Sequence, residues 1–557
     1  MGSSGVARSM LLILFVTFST ACDPDQATKS QSGERLQVPA VLEARMPQVA
    51  RAEEAEFHEL ASLAPSSAGF VLDSLGDIVV FMRDTLDATA GRRGIAALQS
   101  SGRIRQNRQR LPRVIVRRAD YTFGELVAAR DLLFDSVFTQ MPGLSSLDLD
   151  EARNRVTIGV DPRAYGATRV NVVRQALRLG IDTTLLWFRQ YAPMRTRSGT
   201  SFVRNAMLLS GTYLTSTYDT LIGGVTVRTD HAAAQGGGPG DCTLGFTAYY
   251  NGYRAFVTAT HCTTVWGAPD NTIASQATTR RVGVEAIDPN KYHCGLNWCR
   301  ASDASLFRID DSIPSIRGLI ARTTFRNGGG GNGGSGSLAI DLVRPTFIVS
   351  GAGTTLAVGM ELQRMGRTSG WVFGNITNTC VDHHYDGAET GLLTVYTLVC
   401  GYQAAMENLG GDSGGPLFRW AGGDSVTLEG TVVGDLTTQD EVFSKFSRIA
   451  SDFGGTLVVS RNGAIPVLAV SIAGPTSVRT NQTTCSWTAQ VTGGILAYSY
   501  SWKKNGVVVG NDSPFLQLGS TGTSAFALSV DVTDAEHTVR TATLPVSVSA
   551  AAAACQL

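Results

Sequence analysis

The chain has 557 residues, too many for one hydrophobic core, so about three or four units are expected. Its 47 basic and 47 acidic side chains cancel, which excludes partners recruited by bulk charge, nucleic acid foremost. With 17% charged residues and 61 glycines, the composition suits a β-rich exported protein better than a helical cytosolic one.

Residues 1–22 read as an export signal. Arg8 precedes the apolar run Met10 to Phe18, which then gives way to small residues. The run is too short and too quickly polar to span a membrane. Ser19-Thr20-Ala21-Cys22 resembles a bacterial lipobox, although leucine usually stands where Ser19 does. Cys22 is therefore a candidate for lipidation and a membrane tether, set against ordinary cleavage with Cys22 free or removed. Residues 23–40 are polar and are expected to form a flexible tether.

Residues 41–204 contain no cysteine and read as a separate α+β unit. Phe70 to Leu72 and Ile78 to Phe81 flank the turn Ser74-Leu75-Gly76-Asp77, which predicts a hairpin. Thr122 with Glu125 three residues on makes a capping box. It opens an amphipathic helix carrying Leu126, Leu133, Val137 and Phe138. Val156, Ile158 and Val160 alternate as a strand, and Val172, Val173, Ala176 and Leu177 fit a second helix stopped at Gly180. Leu185 to Phe188 is another strand. Arg103, Arg105, Arg108, Arg110, Arg113, Arg117 and Arg118 have no interleaved aromatics, so a solvated face or a cleavable loop is expected there.

Residues 205–460 alternate short apolar runs with glycine turns, the pattern of an all-β pair of barrels. Phe256 to Thr260 is an apolar strand ending at His261-Cys262. Cys299 to Leu306 gives a polar lead into another strand, with Asp303 at its head and Asp310 and Asp311 as rival carboxylates. Asn327 to Ser337 is nearly all Gly, Asn and Ser and predicts a disordered surface loop. The centre of the stretch is Gly410-Gly411-Asp412-Ser413-Gly414-Gly415-Pro416-Leu417. A serine hydroxyl needs a base to take its proton and donors to hold the charge that develops on the substrate oxygen. Glycines on both sides of Ser413 permit a sharp turn, in which the Gly411 and Ser413 amides can converge as an oxyanion hole. The bland alternative is a glycine turn with an Asp-Ser cap.

Without Cys22, eight cysteines remain, in adjacent couples. Outside the cytosol they predict four disulfides: Cys242–Cys262, Cys294–Cys299, Cys380–Cys400 and Cys485–Cys555. The first would clip the strand bearing His261, for about 3 kcal/mol in the chain-entropy picture. A zinc site from His293, Cys294 and Cys299 competes, but lacks a clear fourth ligand.

The order His261, Asp303, Ser413 is that of chymotrypsin, not of subtilisin or the α/β-hydrolases. With the Gly410 to Leu417 string, the chain resembles the chymotrypsin-like serine proteases, in particular the bacterial streptogrisin and α-lytic type with an N-terminal pro-segment. Leu221 to Val225 looks like that family's mature start, and Gly366-Arg367-Thr368-Ser369-Gly370 resembles a segment of its second barrel. The resemblance implies a triad of His261, Asp303 and Ser413, an oxyanion hole from Gly411 and Ser413, and no cofactor. It implies that residues 41–204 act in cis as foldase and inhibitor, a permanent binding domain being the alternative. Asp412 would pair with a freed N-terminus or with an arginine. Two departures stand out: Ser305 replaces a usual alanine, and a valine in Gly430 to Gly434 replaces the serine that supports the triad Asp. Glu407 sits where trypsin-like members place an acidic pocket floor. With Val433 and Gly434 it makes the expected substrate pocket and suggests a preference for Lys or Arg.

Residues 466–557 change character. Tyr498, Tyr500 and Trp502 alternate, Asn505-Gly506 makes a turn, and Phe526, Leu528, Val530 and Val532 alternate again. Cys485 before Trp502 suits a small Ig-like β-sandwich, for adhesion or spacing. The expectation is an exported, monomeric serine endopeptidase acting on polypeptides, secreted or held at the cell surface or periplasm. Its rivals are an idle, tethered binding protein on the same scaffold and an esterase using the same triad.

Overall fold

Thr122 and Glu125 form both hydrogen bonds of the capping box, 2.8 Å and 3.3 Å, and start the helix Phe123–Leu133. The computed structural model describes residues 55–101, 104, 112–196, 212–230, 240–276, 280–328, 334–353, 355–385, 396–437, 439–483 and 485–555. The export signal, the tether, Cys22 and Arg103, Arg105, Arg108 and Arg110 lie outside them. Val137 and Phe138 do not extend the capped α-helix; they belong to a π-helical turn, Phe134–Phe138, that buries both side chains. The hairpin forms from Ser67–Leu72 and Ile78–Met82, and the second helix spans Tyr165–Arg178, with Gly180 at φ 72° just beyond its end.

The following 250 residues build two sheets. One has eight strands, among them Phe246–Tyr250, Tyr253–Thr258, Ser305–Ile309 and Gly240–Thr243. The other contains Glu361–Gly366, Gly370–His384, Tyr396–Ala404, Pro416–Trp420, Ser425–Thr437 and Asp440–Lys445. This second sheet corrects the expectation of a separate N-terminal unit. It runs on without a break through Leu144–Asp150, Arg155–Val160 and Leu186–Gln190, because Leu147 and Ser146 pair antiparallel with Asp382 and His383. The apolar faces of both segments share one core, in which Phe138, Leu147 and Val172 lie with Val399, Tyr402 and Phe443. Polar links back the seam: Asn378 donates to Asp148 at 2.6 Å and Thr355 to Glu56 at 2.7 Å.

The Gly-Asn-Ser stretch departs from expectation at its two ends, residues 329–333 lying outside the described ones. Asn327–Gly328 is a short strand paired with Val372 and Phe373, and the Gly336 amide donates to the Ser369 carbonyl. A Cβ at Gly336 would meet the Trp371 carbonyl at 2.0 Å, so the glycine here permits close backbone approach. Beyond residue 466, the strands fall in two sheets around buried Trp487 and Trp502, closed by Cys485–Cys555. The other three sulfur pairs are Cys242–Cys262, Cys294–Cys299 and Cys380–Cys400.

Candidate active site

His261 follows the strand Tyr253–Thr258 in a single 3-10 turn, Thr260–Cys262. Asp303 precedes the neighbouring strand Ser305–Ile309, which pairs with it so that Thr258 faces Ser305. This register brings the two side chains together. His261 Nδ1 lies 2.5 Å from Asp303 Oδ2, and the His261 amide donates to Asp303 Oδ1 at 3.1 Å. Both side chains are 1% exposed. One carboxylate thus fixes both the ring and the backbone of the histidine, and it holds the proton on Nδ1, leaving Nε2 as the acceptor. Nε2 is buried and makes no hydrogen bond among the described residues. The rival carboxylates are engaged elsewhere: Asp310 with Arg281 at 2.9 Å and Asp311 with Arg308 at 3.6 Å.

The Asp303 amide donates to Ser444 Oγ at 2.9 Å. Ser444 lies opposite Thr431 on the adjoining strand. A hydroxyl one strand away therefore holds the backbone of Asp303, while the Gly430 to Gly434 segment offers valines at 432 and 433. Arg300 sits behind the pair, fully buried, donating to Thr260 Oγ1 at 2.9 Å and Asp288 Oδ1 at 2.7 Å. Burial works against the Arg300 charge, but Asp288 and Asp303 outweigh it and raise its pKa. Ser305, the unusual hydroxyl, has Glu285 Oε1 at 2.6 Å and the Ile287 carbonyl at 3.0 Å as acceptors for its one proton, so its polarity is satisfied.

Ser413 is reached through its backbone. Its carbonyl accepts from the Thr243 amide at 2.9 Å, and Thr243 Oγ1 donates to the Gly411 carbonyl at 2.8 Å. The Gly414 amide donates to Val432 and the Gly415 amide to Asp412. Gly411 has φ 98° and Gly414 φ 80°. A Cβ on Gly414 would meet Thr258 Oγ1 at 2.2 Å and the Ala259 amide nitrogen at 2.7 Å, so the turn lies directly against the chain leading into His261. Neither the Gly411 nor the Ser413 amide donates to a protein acceptor among the described residues. No hydrogen bond joins Ser413 to His261 Nε2 there; in resting enzymes such bonds are often long and tighten with substrate.

Asp412, the acid before Ser413, is held by an arginine. Arg364 Nη1 lies 3.0 Å from Asp412 Oδ2, and Arg364 Nε lies 2.8 Å from Glu441 Oε2, every partner fully buried. Asp412 also accepts from the Thr368 and Ser369 amides, from Ser369 Oγ at 2.6 Å and from the Leu409 amide. Burial raises the Glu441 carboxyl to about 8, against the pull of Arg364. Sequence reasoning did not single out Ser444, Arg300 or Arg364. Only Arg364 left a signal, a lone charge between Leu362 and Met365 on an otherwise buried strand.

The expected pocket residues have different partners. Glu407 is half-buried and accepts from Ser335 Oγ at 2.6 Å, while its carbonyl receives Arg364. Val433 and Gly434 instead face residues 194–196. The Arg195 and Asp435 backbones exchange two hydrogen bonds, 2.9 Å and 3.0 Å, in an antiparallel bridge. A Cβ on Gly434 would meet the Arg195 carbonyl oxygen at 2.1 Å.

No family model matches the sequence. Among solved structures the chain is similar to a glutamic acid-specific serine protease, described as using a histidine triad in substrate binding, at 20% identity over 43% of this chain and 100% of that one, TM-score 0.29. It is similar to Thermobifida fusca protease A at 21% identity over 43% and 100% of the two chains, TM-score 0.30. It is also similar to the secreted serine protease VesC of Vibrio cholerae at 12% identity over 58% and 68%, TM-score 0.21.

Proposed function

We propose that this chain is an exported serine endopeptidase made as a pro-enzyme. The observation that carries the reading is the buried His261–Asp303 pair, with Nε2 left as acceptor, next to a glycine turn that presents Ser413. In this reading Ser413 Oγ attacks a peptide carbonyl while His261 Nε2 takes its proton. The carbonyl oxygen becomes an anion received by the Gly411 and Ser413 amides. His261 then returns the proton to the leaving amine, and water hydrolyses the acyl-enzyme by the same steps. Asp303 stabilises the imidazolium that forms in between. No metal or cofactor enters any step.

Residues 41–204 are the pro-segment, 205–460 the protease and 466–557 the Ig-like module. Residues 194–196, strand-paired beside the catalytic turn, supply the latency. Residues 1–22 direct export, to the exterior or to a lipid anchor on Cys22, and the matured chain acts alone on polypeptides. The test is a fluorophosphonate probe on the secreted chain, paired with a peptide and an ester substrate. Labelling and peptide cleavage in wild type, both absent in Ser413→Ala, are expected. An unlabelled wild type would favour an idle binding scaffold, and ester turnover without peptide turnover an esterase. A preference for Lys or Arg at Glu407 is the weaker part, and equal rates on basic and apolar peptides would reject it.

A further inference from the structure

Met194 is fully buried although it lies outside every strand and helix of the chain. Its amide donates to the His384 carbonyl at 2.9 Å, and it bridges Tyr385 in parallel while the next residue, Arg195, bridges Asp435. The segment is thus a strand inserted between two others. Its methionine side chain joins an apolar cluster with Tyr385, Tyr396, Leu398 and Val433. Trp266 closes the cluster, with ring centroids 5.3 Å from both Tyr385 and Tyr396 and 6.3 Å from the His261 imidazole.

Direction fixes what this pocket would do. Chain running from Met194 to Thr196 travels antiparallel along residues 436 to 434, toward Val432. Val432 exchanges hydrogen bonds with Gly414 and Gly415, the residues just after Ser413. A peptide lying here in the same sense enters the turn after a few residues of extended chain. Met194 then occupies the position about four residues upstream of the bond attacked.

Resting on the protease reading above, we infer that Trp266, Tyr385, Tyr396, Leu398 and Val433 form a substrate subsite selecting a long, unbranched apolar side chain about four residues before the cleaved bond. In the latent chain Met194 fills it. A thioether side chain suits an irregular aromatic-lined pocket through its flexibility and its sulfur–ring contacts. An acidic side chain would have to give up its hydration to enter this largely apolar cluster.

The full chain is expressed, left to mature, and assayed on peptides spanning residues 191–201 in which the methionine is kept or replaced by norleucine, alanine or aspartate. Norleucine should match methionine, alanine should lower kcat/KM roughly tenfold, and aspartate should lower it further. Leu398→Phe, which fills the pocket, should shrink the methionine-to-alanine ratio toward one. Fluorophosphonate labelling of Ser413 is measured in parallel. If the chain labels and cleaves but methionine, alanine and aspartate peptides turn over alike, the subsite is overturned and the hydrolase reading stands. If nothing labels and nothing is cut, the hydrolase reading falls and the substrate subsite with it. The peptide series on the unsubstituted chain decides the matter even where Leu398→Phe fails to fold.

Discussion

The anchor of the turn at Ser413 allows a quantitative prediction. Asp412 accepts from three amides and one hydroxyl, and it pairs with Arg364, both members of the pair fully buried. Asp412→Asn puts an NH2 group where one carboxylate oxygen was. Either the Thr368 and Ser369 amides on one oxygen, or the Leu409 amide and Ser369 hydroxyl on the other, then lose their acceptor. At about 1–3 kcal/mol per buried unsatisfied donor, the cost is roughly 2–6 kcal/mol, a large part of a domain's stability. Arg364→Met acts differently. Breaking a buried pair from one side costs about 3–5 kcal/mol when the remaining charge stays uncompensated. Glu441, already held near pH 8, relieves part of this by keeping a proton, and Asp412 keeps its four neutral donors. Both variants should unfold at lower urea concentration, but Asp412→Asn should slow fluorophosphonate labelling of Ser413 far more than Arg364→Met, because only it frees the turn. Equal labelling rates in the two variants, or an Asp412→Asn chain with unchanged urea midpoint, would refute the reasoning.

Three further outcomes are expected. Gly434→Ala places a methyl 2.1 Å from the Arg195 carbonyl oxygen. It should cost both Arg195–Asp435 hydrogen bonds, about 1 kcal/mol each, and speed hydrogen exchange at Arg195 in the latent chain roughly tenfold or more. Ser444→Ala leaves the buried Asp303 amide without its acceptor, so the melting point should drop by the equivalent of about 1–3 kcal/mol and Ser413 labelling should slow, which calorimetry and probe kinetics read separately. The seam between residues 144–150 and the second sheet should loosen in acid. Burial pulls His383 to about 3 and His384 to about 4, with Phe138 stacked 4.0 Å from the His384 ring and the Leu144 carbonyl 2.8 Å from its Nδ1. Because the unfolded imidazoles, near 6.5, bind protons that the folded ones do not, this contribution is present above about pH 6.5 and is lost as pH falls toward 4. Asp148 and Asp382, raised by burial, oppose it, so the comparison is with His384→Gln. The variant should show a flatter pH dependence of exchange protection in Leu144–Asp150 between pH 4 and 6.5, and identical profiles would count against the argument.

The parts of this chain legible in its sequence are those specified locally. The capping box at Thr122 names its own helix start, and the alternation at Val156, Ile158 and Val160 names a strand, because both depend on neighbours a few residues away. His261, Asp303 and the Gly410 to Leu417 string stand out because their residue types serve few other ends. What stayed hidden is fixed by register between distant strands. Ser444 matters only because it lies opposite Thr431 and so reaches Asp303, 141 residues away. The burial of Val137 and Phe138 is legible as helical periodicity, but the π-helical widening that carries them is not.

On the pro-enzyme reading proposed above, the shared sheet makes latency and folding parts of one device. Gly370–His384 pairs with Glu361–Gly366 at its start and, at Asp382 and His383, with Leu144–Asp150. Its last residues lead straight to Tyr385, which flanks Met194. A strand edge left uncovered at Asp382 and His383 invites pairing with other chains, and a sheet assembled from non-local strands forms slowly. Residues 144–190 cover the edge with three strands that are near one another in sequence and so are cheap to assemble. Once they dock on the edge, the chain that leaves them at Gln190 needs only four more residues to reach its bridge to Tyr385 at Met194. On that reading, covering the edge also carries residues 194–196 to the proposed subsite, with no separate inhibitory element. Cutting the chain beyond residue 196 would leave the cover attached through its sheet and its core, so the same reading requires the seam at Asp382 and His383 to open before activity appears.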